Sequence, residues 1–86
     1  MIHKIKLNKE FCDAVLERRK TFEIRFNDRG YQTGDFIKFI PISDAFPGPH
    51  ETTHPIKNKT YKIIYILNGW GLQDGYVAMS IQEVEE

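Results

Sequence analysis

The chain has 86 residues, 41% hydrophobic, 13% aromatic and 28% charged, with twelve basic and twelve acidic side chains and a formal net charge of zero. That length holds one domain and one core, and the composition excludes a disordered chain and a uniformly basic nucleic-acid protein. The lone Cys12 leaves no internal disulfide and no paired-cysteine metal or redox motif. With no apolar run long enough for a signal peptide or a membrane span, a cytoplasmic protein is expected.

The charges are uneven along the chain. Residues 1–40 hold nine Lys and Arg against six acids, and the remainder holds three against six. An anionic partner is therefore expected at the N-terminal half.

In chain order, Ile2 to Leu7 alternates as a half-buried strand, with His3, Ile5 and Leu7 on one side. Asn8 reads as an N-cap with Glu10 in the first turn. The spacing predicts a helix from Lys9 to about Arg19, with Phe11, Ala14, Val15 and Arg18 on one stripe. Thr21 to Phe26 alternates strictly, which predicts a strand with Phe22, Ile24 and Phe26 in the core and Thr21, Glu23 and Arg25 on the other face. Same-face side chains stand about 6.6–7 Å apart, so Glu23 can reach Arg25 and Thr21 while Lys20 approaches from the strand's start.

Asn27-Asp28-Arg29-Gly30 and Gly34-Asp35 are turn compositions. Phe36 to Ile42 reads as a strand buried on both faces that Pro41 ends. Ser43 to Lys59, with Pro47, Gly48, Pro49 and Pro55, reads as a long loop. Thr60 to Leu67 is a β-branched and aromatic strand, and Tyr76 to Ile81 is a last strand with Val77, Met79 and Ile81 inward. Gln82 to Glu86 reads as a fraying tail. The sum is an α+β domain over residues 1–86: a small, curved, mostly antiparallel and partly open β-barrel of about five strands with one N-terminal helix.

The run Lys20-x-x-Glu23-x-Arg25, with Asn27-Asp28-Arg29 and Gly34-Asp35 after it and Asp74-Gly75-Tyr76-Val77 near the end, resembles the activating signal cointegrator homology (ASCH) family. The likeness is to its small bacterial and phage branch of unassigned function. The family pattern is Gly-x-Lys-x-x-Glu-x-Arg, and Arg18 stands at the glycine. The resemblance implies a PUA-like fold and a cleft, lined by the motif, that binds RNA or a nucleotide. If the glycine serves a left-handed helix exit, Arg18 must find another exit or bear strain.

The residues suit such a cleft. Lys20, Arg25 and Arg29 can meet phosphates, Glu23 can accept from a base amine, and Tyr31 and Trp70 can stack on a base. Trp70 between two glycines suits a loop rim or a plug for the barrel end, and Glu23 with Arg25 suits a structural ion pair. The enzyme reading stays open, because some ASCH proteins are amidohydrolases acting on acetylated cytidine. Their resemblance implies a lysine with a threonine three residues later and a distant glutamate. Lys20 matches, Glu23 occupies the threonine's place, and Thr21 is a substitute nucleophile beside Lys20. Glu51 and Asp74 are the acids available for the distant position. A protein-interaction module using the Ser43 to Lys59 loop is a third reading. Neither a metal nor another cofactor is called for: His50 and His54 are four apart but lie among prolines.

Overall fold

The computed structural model describes residues 1–85. Strand β1 (Ile2–Asn8) leads through Asn8, whose Oδ1 accepts from the Glu10 amide at 3.1 Å, into helix α1 (Lys9–Leu16). Strand β2 (Phe22–Phe26) follows, then β3 (Phe36–Ser43), β4 (His50–Glu51), a single 3-10 turn (Pro55–Asn58), β5 (Tyr61–Asn68) and β6 (Tyr76–Glu83). They form an open six-stranded mixed sheet in the order β1-β3-β5-β6-β2, with β4 on β3. The fold is α+β.

The pairings are antiparallel except β1 with β3, which run parallel with Ile5 opposite Phe39. Inward side chains of β1, β3, β5 and β6 (Ile5, Leu7, Ile37, Phe39, Tyr61, Ile63, Val77, Met79, Ile81) meet Cys12 and Val15 of α1 in one core. Burying side chains of this size is worth roughly 1.5–3 kcal/mol each.

Several expectations are corrected. The helix ends at Leu16, and its buried stripe is Cys12 and Val15, while Phe11 is 43% exposed. The exit explains the early stop. Arg18 takes φ +64°, its N–H donates to Val15 O at 3.1 Å, and the Arg19 N–H donates to Ala14 O at 2.9 Å. That is a Schellman closure with arginine in the left-handed position glycine usually fills.

Strand β3 alternates half-buried and buried residues and passes through Pro41. Proline is tolerated because its own nitrogen faces the side on which β3 pairs β5 only at Phe36 and Ile37 and β4 only at Ile42 and Ser43. The segment read as a loop contains β4 and the 3-10 turn, and the segment read as a fraying tail carries β6 to Glu83, with the Val84 N–H donating to Thr60 O at 2.8 Å.

The largest reversal is in β2. Register sets Glu23 opposite Met79 and Arg25 opposite Val77. Directly paired residues share a face, so Glu23 and Arg25 point with the core residues of β6. Phe22, Ile24 and Phe26 point outward and are about half exposed.

Candidate functional site

Glu23 is 2% exposed, and a carboxylate there requires compensation. It receives one cation at each oxygen: Lys20 Nζ donates to Oε1, and Arg25 Nε donates to Oε2 at 2.9 Å. Lys20 Nζ also donates to Phe22 O at 2.8 Å and stands 5.0 Å from the Phe22 ring centroid. The three motif residues are thus brought together as a charge-assisted network in which the carboxylate is held from both sides. A shallow cleft of about 350 Å³ lies against it, lined by Lys6, Asn8, Phe11, Lys20 and Phe22 among others.

The network reaches across the sheet's opening. Strands β1 and β2 are the two ends of the strand order, and an end strand has backbone groups without a ladder partner. Arg25 donates from Nη2 to Lys6 O at 2.6 Å, and Arg29 donates from Nη1 to Lys4 O at 2.9 Å. Two guanidinium groups on the β2 side thereby satisfy alternate carbonyls of β1 and draw the end strands into a seam. Along it runs a cleft of about 560 Å³ whose charged lining is Lys4, Lys6, Arg25 and Arg29 against Asp28 alone. Lys4 and Lys6 are exposed on the outer side of β1.

The proposed stacking residues separate. Tyr31 borders the seam cleft but is 6% exposed, its ring edge-on to His3 with centroids 4.7 Å apart, and burial pushes its phenol above the ordinary value. Its ring is held in the core. Trp70 is 90% exposed and plugs nothing; with φ +54° between two left-handed glycines, it projects from the β5–β6 loop. That loop adjoins the seam through Phe26, which lines both the seam cleft and a second cleft bordered by Gly69 and Gly75. Gly75 is fixed by this approach: at φ +85°, a Cβ there would stand 2.5 Å from the Phe26 ring.

Thr21 and Glu23 line different cavities. Thr21 precedes β2, its carbonyl accepts from the Ile81 N–H at 3.0 Å, and it lines its cavity with Val15, Arg18 and Tyr61. Lys20 borders that cavity too, but its ammonium is held by Glu23. Glu51 lies exposed on β4 and Asp74 borders the Gly69 cleft, so neither supplies a carboxylate beside Thr21. His54 Nε2 lies 2.8 Å from Asp13 Oδ1, and His50 Nδ1 lies 2.7 Å from Gly48 O. Among the described residues no group of three His, Cys, Asp or Glu stands close enough to hold a metal ion. No helix of the described residues is long and apolar enough to cross a membrane.

Sequence reasoning missed Lys4 and Lys6 as cleft residues and Phe22 and Phe26 as outward-facing rings. No local signal gave the second: the inward face of β6 is set by Val77, Met79 and Ile81, but which face of β2 joins it depends on the register of the pairing.

A family model described as "Domain of unknown function (DUF3850)" matches residues 2–81. An "Uncharacterized 12.9 kDa protein in GpA 3'region" of Escherichia phage P2 is 44% identical over 36 residues, which cover 42% of this chain and 33% of that protein. The chain thus aligns with about a third of that relative's length. The extent of the family match makes the chain a member of the DUF3850 family.

Proposed function

We propose that this member of the DUF3850 family is a PUA-like module that binds single-stranded RNA or a nucleotide along the β1–β2 seam, in a reducing, cytoplasmic setting. The observation that carries the reading is the seam cleft, with four cationic side chains against one acid. The fold half of the proposal is supported by the sheet's end strands being drawn together through Arg25 and Arg29, as a partly open barrel requires.

Lys4, Lys6 and Arg29 supply the phosphate contacts. Arg25, engaged by Glu23 and by Lys6 O, contributes field and position. Bases stack on Phe26, on Phe22 or on Trp70, each contact worth about 1–3 kcal/mol. Glu23 is a structural counter-ion in this reading and makes no base contact.

The test is fluorescence anisotropy of a labelled single-stranded RNA titrated with the full chain at several salt concentrations. Affinity falls with salt, and Lys4→Glu with Lys6→Glu weakens it at least ~10-fold and lowers the salt slope by about 1.4, two single-strand phosphate contacts at ~0.7 each. Trp70→Ala weakens it without changing the slope. No binding at low salt, or affinity indifferent to the double charge reversal, overturns the proposal.

A further inference from the structure

The outward side of the sheet over β2, β6 and β5 is a continuous apolar face. Register sets Phe22 and Tyr65 on either side of Ser80, Ile24 and Leu67 on either side of Ala78, and Phe26 beside Tyr76. Directly paired residues share a face, so these side chains stand together opposite the core. The three residues of β2 are about half exposed, Tyr65 is 64% exposed and Leu67 37%. None of the side chains in these rows is charged.

The rows differ in height. Ala78 and Ser80 are small, so β6 runs as a low row between the large side chains of β2 and those of β5. Neighbouring strands stand about 4.8 Å apart, which leaves ~9.6 Å between the two high rows for a further row of side chains to settle. Tyr76 closes the low row at one end, its ring edge-on to Phe26 with centroids 5.6 Å apart. A second copy turned about a two-fold axis parallel to the strands lays its β2 row over the first copy's β6 row, and the same operation lays the first copy's β2 row over its own β6. The relief is therefore self-complementary, as a two-fold interface requires.

We propose that this face is the interface of a homodimer, in which two copies pack sheet on sheet with their strands within about 30° of each other. Phe22, Phe26 and Tyr65 alone leave roughly 250–400 Å² uncovered, at about 150–250 Å² for a whole aromatic side chain. Ile24 and Leu67 take the face to the top of the ~300–600 Å² range of a typical monomer's largest apolar patch. Gln82 and Lys62, the next pair along, supply a polar rim and bring it toward the ~800 Å² that each partner gives a standard interface. An uncharged face meets its own copy without repulsion, and a chain of zero net charge adds none at longer range. A partner selected by charge finds nothing to pair with there. The dimer covers Phe22 and Phe26 and leaves Trp70, on the β5–β6 loop, as the ring for base stacking.

The experiment is sedimentation velocity of the full chain, without RNA, from micromolar to millimolar concentration. The sedimenting mass doubles within that range and stops at two copies, because a two-fold interface closes on itself. Ile24→Glu, with its circular dichroism reporting that it is folded, sets like charges in the interface and weakens the dimer ~100-fold or more. Phe46→Ser, which removes the exposed ring of the β3–β4 loop, leaves the dimer as it was. A chain that stays monomeric to millimolar concentration overturns the proposal and frees the face for another protein or for bases. A dimer that survives Ile24→Glu overturns it too, as do species that keep growing with concentration. Because no RNA is present, failure of the seam to bind RNA leaves this result untouched.

Discussion

Arg25 donates from Nε to Glu23 Oε2 at 2.9 Å on the side of β2 that faces the core, although the strand's other side carries two phenylalanines and an isoleucine. Hydrophobicity alone would turn the strand over. What holds it is that Arg25 also donates to Lys6 O, so one side chain neutralises a buried carboxylate and satisfies a carbonyl of the opposite end strand.

Glu23→Gln leaves Lys20 and Arg25 partly buried without their shared anion. Removing one partner of a buried ion pair costs about 3–5 kcal/mol. Because Lys20 and Arg25 keep some solvent access, the lower end, about 3 kcal/mol, is expected from urea denaturation of the variant. Adding Lys20→Met recovers part of the loss, and a single-variant midpoint equal to that of the parent chain contradicts the buried-network account.

Arg18→Gly relieves a left-handed residue that costs an L-amino acid roughly 1–2 kcal/mol. Its exposed ion pairs with Glu83 and Glu85 contribute little in return. A net gain of about 1 kcal/mol, or a rise in Tm of ~4–8 °C for a domain of this size, is the expected calorimetric result. A lower Tm shows instead that the arginine side chain outweighs its backbone strain.

Asp35 links the N-terminal strand to the loop before β3. His3 Nε2 lies 2.8 Å from its Oδ2, and this bond, followed by the Gln32 amide and the terminal amine, holds the carboxyl below its ordinary value of 3.8. The folded chain therefore releases this proton at lower pH than the unfolded chain does, and in that interval the unfolded state binds more protons. The stabilisation is complete above the ordinary value and is lost as pH falls through the folded one. In Asp35→Asn the acid limb of a stability-against-pH curve flattens in that interval; an unchanged limb means other carboxyls govern acid unfolding.

Burial, followed by the charge of Glu83, pushes the Tyr61 phenol up to about 12. Above pH ~10 the unfolded tyrosine ionises while the folded one stays neutral, so stability falls as pH rises toward the folded value. Tyr61→Phe removes this part of the alkaline loss. The same variant gains about 1 kcal/mol at neutral pH by deleting an unpaired hydroxyl. Thermal melts at neutral and alkaline pH check both, and a neutral-pH loss of stability shows that the hydroxyl is satisfied in solution.

Much of the chain's organisation was legible before its fold. The alternations of Ile2 to Leu7 and Tyr76 to Ile81, the Asn8 cap and the excess of positive charge before residue 40 are local facts, and local backbone preference expresses them directly. The proximity of Glu23 to Lys20 and Arg25 was legible too, because a strand's repeat fixes same-face spacing whatever surrounds it. Thr21 lines a different cavity, with Val15 and Tyr61, which its place in the sequence does not reveal.

What the sequence by itself determined about β2 was that its two faces differ; only the tertiary structure decided which face is interior. Period-two alternation is symmetric under turning the strand over, and the choice belongs to its register against β6 and to the carbonyls of β1 that Arg25 and Arg29 complete. Strands β1 and β2 are separated by a helix in sequence and stand at opposite ends of the strand order. Their seam, with the cationic cleft along it, therefore exists only once the sheet has curved far enough for a guanidinium to span the gap.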